Sequence, residues 1–367
     1  MKHTSKFIGN RAMLDKQLLI TVLALAIFGV VMVTDASVVD ATRTFGDRFY
    51  FGKHQLFWIF LGLISMFLVS RFNYKLLKKF SLPLFFGSLI LLVLPLVPGI
   101  GLVLHGSRRW VDLGPLVIQP SELLKLTLVI YLATLLSIKK DFLSFAFAVS
   151  IPVGLIMLEP DLGTAGIIAI TSVIIYFSSG APIRYFMSML PIGGLLGLIF
   201  VLTSSYRKER LLTFLNPASD PLGSSYHIRQ VLLALGSGGI LGVGLGQSRQ
   251  KYLFLPEPAT DSILAVIGEE LGLLGTSAIL LAFLFIIWRG LRLAMRTNDS
   301  FGKLLAVGIT SLIGVQAFIN FSAIVALVPL TGVPLPFLSY GGSSLTISLT
   351  AVGILLNISK NGGKSAH

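Results

Sequence analysis

Residues 255–288 read LPEPATDSILAVIGEELGLLGTSAILLAFLFIIW. Four carboxylates, Glu257, Asp261, Glu269 and Glu270, crowd its first half, and no further charge appears before Arg289. About 20 apolar residues suffice for a helix to cross the hydrocarbon core of a bilayer. The second half therefore reads as a membrane span, and the same signature recurs in both directions from it. Ten such runs fall near 17–34, 54–70, 81–98, 122–138, 142–158, 162–179, 185–204, 262–288, 303–328 and 342–358. There is no spaced series of Asn-Gly or Asp-Gly turns between alternating strands, so a β-barrel is not expected. The expected fold is all-α: a polytopic integral membrane protein of about ten transmembrane helices. A large extracytoplasmic loop, 205–261, separates helices seven and eight. Residues 1–367 form a single transmembrane domain with no separate soluble domain and no tandem repeat.

Composition agrees with this class. Hydrophobic residues make up 54% of the chain and charged residues only 12%, about half the share in soluble domains. The net charge of +13 is distributed by topology. With both termini inside, the inner segments hold Lys2, Lys6, Arg11 and Lys16, then Arg71, Lys75, Lys78 and Lys79, and later Arg289, Arg292, Arg296, Lys303, Lys360 and Lys364. Short outer loops hold fewer: Arg43, Arg48, Lys53, Arg108 and Arg109. This is the positive-inside bias. The basic excess thus points to anionic membrane lipid, and nucleic acid is not an expected partner. No small-residue cleavage signal follows the first run, so a cleavable signal peptide is not expected. The chain has no cysteine, which excludes disulfides and thiolate metal sites.

Two connections are more than short turns. Residues 99–125 mix Gly and Pro with basic and aromatic residues. Within 205–261, YHIRQVLLALGSGG (226–239) has apolar residues at helical spacing and reads as a helix lying against or dipping into the membrane surface. The glycine-rich GSGGILGVGLGQ (236–247) that follows allows close backbone approach to a ligand, or is plain loop punctuation.

Ionisable groups within or beside a bilayer are costly, so each prompts a functional question. Asp261 opens the eighth span, where Thr260 or Asp261 could cap the helix or Asp261 could act as a general base facing an outer cavity. In a continuous helix Glu269 would lie about 12 Å deeper, too far for a paired-carboxylate mechanism. Glu122 and Lys125, in QPSELLKL (119–126), share a helix face and can pair. That pair either fixes packing or sets Lys125 near a phosphate, with Ser121 as a candidate N-cap. Glu159 and Asp161, in MLEPDLGT (157–164), occupy an outer turn and could be solvated, orient arginines or bind a cation. Arg108, Arg109, Arg207, Lys208 and Arg210 lie outside against the charge bias, either snorkelling or meeting an anionic diphosphate or head group. GVPLPFLSYGGSS (332–344), which includes Ser339, reads as a re-entrant or surface turn. No phosphate-binding Walker loop occurs, and the five histidines lack metal-ligand spacing.

In order along the chain, GSRRWVDLG, QPSELLK, EPDLGT, FLNPASDPLGSSYHIRQ, GSGGILGVGLGQSRQKYLFLPEPATDSILAVIGEELG and GVPLPFLSYGGSS resemble the SEDS family (shape, elongation, division and sporulation), which includes RodA and FtsW. The 244–258 block is more FtsW-like, while GVPLP is also compatible with RodA. The resemblance implies ten spans in the bacterial cytoplasmic membrane, with both termini cytoplasmic. It further implies a peptidoglycan glycosyltransferase joining lipid II into undecaprenyl-diphosphate-linked glycan outside the membrane. It maps the catalytic aspartate to Asp261 and makes Arg108, Arg109, Lys125, Arg207, Arg210, Gln250 and Lys251 candidates for diphosphate or sugar binding. Glu122, Glu159, Asp161, Glu269, Glu270 and Ser339 are then structural or cavity-lining. No metal ligand set is legible, and a divalent cation, Mg²⁺ or Mn²⁺, is a candidate cofactor. The implied partner is a class B penicillin-binding protein, a transpeptidase, acting in division or elongation. Two rivals remain open: a flippase or transporter for a lipid-linked precursor, and a non-catalytic scaffold for the transpeptidase.

Overall fold

The computed structural model describes residues 14–361 apart from 105–106, 113, 115–116, 203–207, 209–211, 213, 215–224 and 253. Arg207 and Arg210 lie outside the described residues. The chain is mainly helical. Helices α1 (Lys16–Ala36), α2 (Val38–Phe45), α3 (Tyr50–Arg71) and α4 (Lys75–Val93) precede a small sheet. Then come α5 (Pro120–Ile138), α6 (Phe142–Leu158), α7 (Leu162–Ser178) and α8 (Ile183–Leu202). The last four are α9 (Tyr226–Gly238), α10 (Ile263–Arg296), α11 (Ser300–Ile324) and α12 (Gly342–Asn361).

Seven of these are long and apolar enough to cross a membrane: α1, α3, α4 with its following turn, α5, α10, α11 and α12. Helices α6 and α7 are shorter apolar helices of 17 residues each, and α8 covers residues 185–202 of the seventh predicted run. Helices α5 and α11 are the most enclosed and form the middle of the bundle. Around them, α1, α3, α4 and α10 turn Ile27, Phe60, Phe86 and Leu281 outward, as a surface wetted by hydrocarbon allows.

One departure from an all-helical chain is a three-stranded antiparallel sheet of β1 (Gly101–Leu104), β2 (Ser107–Asp112) and β3 (Val117–Ile118), in that order. Its strands are too short and too polar to stand out from the Gly/Pro-rich loop in a sequence reading. They give the backbone groups of the paired strand residues partners without a helix.

The main difference lies in the opening stretch. Helix α10 is not continuous: Gly272 sits at φ 65, ψ −162 and breaks it after Leu271. A break orphans carbonyls on one side and amides on the other. The glycine-rich turn satisfies both sets. Val243 and Gly244 donate to the carbonyls of Glu269 and Glu270 at 2.9 and 3.0 Å, while Leu273 and Leu274 donate to those of Gly239 and Ile240 at 2.9 and 3.2 Å. A side chain at Gly242 would lie 2.1 Å from the Glu270 carbonyl oxygen, and one at Gly272 2.4 Å from the Gly242 nitrogen. The close backbone approach foreseen for 236–247 is therefore made to the broken helix. Helix α9 packs on the same half-helix, with Gly238 against the Gly268 backbone and Leu235 against Gly268, and leaves Leu232 and Leu233 exposed.

Candidate active site

The sheet end of the bundle gathers the polar segments. Residues 255–262, the 328–341 turn, the 159–161 turn and strand β2 meet there, over the ends of α5 and α11. Helix α11 supplies the spine. Gln316 and Asn320 stand four residues apart, hence on one helix face. Gln316 Nε2 donates to the Pro334 carbonyl at 2.9 Å. Asn320 Nδ2 donates to the carbonyls of Val333 and Asp261 at 2.8 and 3.0 Å. Tyr340 N donates to the Ala259 carbonyl at 2.8 Å, joining the two loops directly. Ser339 is buried and internal to this scaffold: its Oγ accepts from Leu335 N at 2.7 Å, and its carbonyl accepts from Gln55 Nε2 at 3.1 Å.

Asp261 is half-buried at this junction. Its Oδ1 accepts from Thr260 Oγ1 at 3.2 Å, and its Oδ2 lies 3.9 Å from where a side chain on Gly332 would begin. It does not cap α10. The N-cap position is Ser262, which makes no capping bond and instead shares a 2.8 Å hydrogen bond with His227 Nε2 of α9. Neither Thr260 nor Asp261 takes the capping role that the sequence allowed. The backbone of Asp261 is clamped while its carboxylate stays at the surface of the junction. Nearby acidity is local: burial first, and then the charge of Glu257, hold Asp40 of α2 above the usual carboxylate range, with Arg43 opposing.

Strand β2 separates its two arginines, since successive side chains face opposite ways. Arg108 is exposed. Arg109 turns inward and ties the sheet to the 159–161 turn. Its Nε donates to the Glu159 carbonyl at 3.1 Å, its Nη2 to the Pro160 carbonyl at 2.6 Å, and its Nη1 lies 3.6 Å from Asp161 Oδ2. Asp161 caps α7, accepting from Thr164 N at 3.0 Å and Thr164 Oγ1 at 2.8 Å. Glu159 is 1% exposed, and neither carboxylate oxygen has a hydrogen-bond partner. Burial first, then the charge of Asp161, push its pKa up to about 8 against the pull of Arg109. Glu159 is therefore mostly protonated at neutral pH.

The other sequence candidates are interior. Lys125 Nζ donates to Glu122 Oε1 and to Gln316 Oε1, both at 2.8 Å, with the Lys125 side chain 2% exposed. This joins α5 to α11, and Gln316 had given no sign in the sequence beyond being an amide inside an apolar run. Ser121 does not cap α5. Gln119 occupies the N-cap position without a side-chain bond, and Pro120 fills N1, where a missing N–H costs nothing.

Lys251 is enclosed too. Its Nζ donates to both oxygens of Asp35 at 2.8 Å and to Glu270 Oε1 at 2.9 Å. Burial alone would lower its pKa, but the bonds to Asp35 and Glu270 prevail and raise it. Glu269 accepts from Ser248 Oγ at 2.5 Å and from the amides of Arg249 and Gln250 at 3.0 and 3.3 Å. Ser248 N donates to Glu270 Oε1 at 3.1 Å. Both glutamates thus hold the 248–251 strap against the broken helix, and the Gln250 backbone N–H belongs to that clamp. Asp35 went unsingled in the sequence because it ends an ordinary span, 216 residues from its lysine. Among the described residues no group of three or more His, Asp or Glu converges as a metal site.

The fold and site define a class: a polytopic helical membrane protein with a discontinuous helix and a clamped, half-buried aspartate at one end of the bundle. Residues 16–364 match the cell cycle protein family of FtsW, RodA and SpoVE, and the chain belongs to that family. It is 44% identical over 356 residues to stage V sporulation protein E of Bacillus subtilis, covering 94% of this chain and 97% of that one. It is 42% identical over 353 residues to the probable peptidoglycan glycosyltransferase FtsW of Geobacter metallireducens, covering 94% of each. Among solved structures, a chain of a peptidoglycan synthase complex, described as coordinating polymerization and crosslinking, superposes with a TM-score of 0.80 at 28% identity, covering 96% of this chain and 99% of that chain. The rod shape determining protein RodA of Thermus thermophilus superposes with a TM-score of 0.70 at 27% identity, covering 98% of this chain and all 100% of that one.

Proposed function

We propose that this chain is a peptidoglycan glycosyltransferase that polymerises lipid II on the outer face of the bacterial cytoplasmic membrane, with Asp261 as general base. The observation that carries this reading is the contrast in how carboxylates are held. Glu122, Glu269 and Glu270 are buried in ion pairs or hydrogen bonds, whereas Asp261 is fixed through its backbone with its side chain half-exposed. A base needs that combination of fixed position and access to a proton.

In the proposed reaction the Asp261 carboxylate removes the proton of the acceptor GlcNAc 4-hydroxyl as that oxygen attacks the donor's anomeric carbon. The bond from that carbon to the diphosphate breaks, and undecaprenyl diphosphate leaves with the electron pair. A diphosphate is a good leaving group, so no second acid is required near Asp261. One displacement inverts the anomeric centre. Of the described cations that the sequence singled out for this role, Arg108 is the exposed one and can answer diphosphate charge; Arg207 and Arg210 keep that role from the sequence alone. Lys125 and Lys251 serve the scaffold in this reading, and Arg109 anchors the sheet to the 159–161 turn. A divalent cation, where it takes part, would be held mainly by phosphate oxygens, which suit Mg²⁺ or Mn²⁺.

The same reading places ten spans in the bilayer, both termini in the cytoplasm and the sheet end outside. Charge supports this: the opposite end carries Arg71, Lys75, Lys79, Arg289 and Arg296, as the positive-inside bias requires. A class B penicillin-binding protein is the proposed partner, in division or elongation. The test is glycan-strand formation from lipid II by the purified chain with its transpeptidase. Wild type should give polymer and Asp261→Asn, folded, should give none. Equal polymer from both would remove the general base. No polymer from a folded, partnered wild type would favour precursor translocation instead.

A further inference from the structure

We infer that the end of the bundle opposite the sheet binds one anionic phospholipid with a hydroxylated head group. A cavity of about 440 Å³ opens there between the start of α1, the end of α3 and the end of α12, within the usual range of roughly 300–1,000 Å³ for ligand pockets. Its walls include Leu19, Met66, Phe67 and Leu356, and its rim carries Ser70, Arg71 and Lys360. Apolar walls beneath two cations match an acyl chain beneath a phosphate. Basic pockets between spans on the cytoplasmic side bind acidic lipid heads.

Among the described residues the rim charge has no acidic partner. Arg71 and Lys360 occupy the last turns of α3 and α12 and are exposed. Among the described residues no ion pair engages either. The acid closest in the chain to this cavity, Asp15, pairs with Arg289 at 2.6 Å and caps Leu18 N at 3.0 Å. Asp299 accepts from the Tyr74 hydroxyl and from Gly302 N at 2.8 Å. Residues 1–13 and 362–367 contain no Asp or Glu.

The geometry also narrows the ligand. The Arg71 guanidinium lies 4.5 Å from the Phe67 ring centroid, which holds it at the mouth, where it can take a phosphate through two parallel N–H bonds. Lys360 adds a point charge. Ser70 Oγ donates to the Phe67 carbonyl at 2.8 Å, so toward a ligand it offers an acceptor. A head group with a free hydroxyl, such as glycerol, supplies the matching donor. Free phosphate would leave the four apolar side chains without a partner.

The experiment uses the full chain in detergent and native mass spectrometry, with phosphatidylglycerol, phosphatidylcholine and glycerol phosphate as probes. Wild type should retain one phosphatidylglycerol in preference to phosphatidylcholine, and glycerol phosphate should compete poorly. Each cation near a membrane surface changes lipid affinity about fivefold, so R71Q/K360Q should bind roughly thirtyfold more weakly. K75Q/K79Q removes the same charge from the start of α4 and should bind as wild type does. Ser70→Trp fills the cavity, keeps both cations and should also lose the lipid, which reads the site even where the double variant does not fold. Undiminished binding by folded R71Q/K360Q or Ser70→Trp would overturn the proposal. So would an equal loss in K75Q/K79Q, which would mean surface charge alone. Glycerol phosphate displacing the lipid at equal concentration would reduce the site to an anion site and overturn it as well.

Discussion

Asp261 and the pair Glu269–Glu270 lie on the same stretch, eight residues apart at the nearest, and all three are acids at the mouth of an apolar helix. The two glutamates are 2% and 0% exposed and take bonds from Ser248, Arg249, Gln250 and Lys251. Asp261 is half-buried, and its carbonyl accepts from Asn320. A carboxylate in an apolar chain is thus two different signals. When saturated with donors it is a structural clamp; when positioned through its backbone it remains available for proton transfer. Burial separates the two cases, and it is not visible in the residue type.

The sharpest test of that contrast exchanges Asp261 for Asn, which keeps the shape and the Asn320 bond but removes the base. Loss of general-base catalysis costs about 10²- to 10⁴-fold. Glycan-strand synthesis should fall by that much while the thermal unfolding midpoint in detergent stays near wild type. A large loss of stability instead would place Asp261 among the clamps.

The converse substitution is Lys251→Met. It leaves Asp35 and Glu270 facing one another without their cation, and breaking a buried ion pair costs about 3–5 kcal/mol. Detergent unfolding should show that loss, and Lys251→Met/Glu270→Gln should recover part of it by removing one of the stranded charges. Activity per folded molecule should change much less than for Asp261→Asn. A fully stable Lys251→Met that makes no polymer would break the comparison by moving Lys251 into the chemistry.

A smaller effect is expected at the hinge between the two acid sets. Gly272 lies at φ 65, ψ −162, a region reserved for glycine that costs other residues about 1–3 kcal/mol. Its added Cβ would also meet the Gly242 nitrogen at 2.4 Å, where two backbones touch and neither can rotate away. Gly272→Ala should therefore lower the unfolding midpoint, whereas Gly154→Ala, with open space around the position, should not.

The spans were readable because hydrophobic length is a one-dimensional property. The runs read near 142–158 and 162–179 became α6 at Phe142–Leu158 and α7 at Leu162–Ser178. The break in α10 was not readable. Gly272 resembles its neighbours Gly268 and Gly275 in sequence, and only the arrival of the 239–244 turn distinguishes it. Asp261 stood out because acids are scarce, but so did Glu269 and Glu270, whose partners come from the 248–251 strap. Gln316 and Asn320 carried a faint signal, two amides four residues apart inside an apolar run, which is the pattern of one polar stripe on a buried helix. The inward turn of Arg109 relative to Arg108 required knowing that 107–112 is a strand.

Glu159 falls between the two kinds of acid: it is as buried as the clamps, yet it lacks their donors. Its pKa is raised to about 8, first by burial and then by Asp161. The folded state therefore holds this proton over a pH range in which the unfolded chain, with an ordinary carboxyl near 4.3, has released it. Stability consequently falls as pH rises from about 4.3 to about 8, by at most about 1.4 kcal/mol per pH unit, and levels off above that. Glu159→Gln removes the titration and keeps the shape. Comparing unfolding midpoints at pH 6 and pH 8, the wild type should lose more stability than the variant across that interval. Equal pH dependence in both would mean that Glu159 is already ionised in the folded protein. Arg109 would then have to answer the Glu159 carboxylate as well as the two carbonyls and Asp161, and the turn would join the clamps.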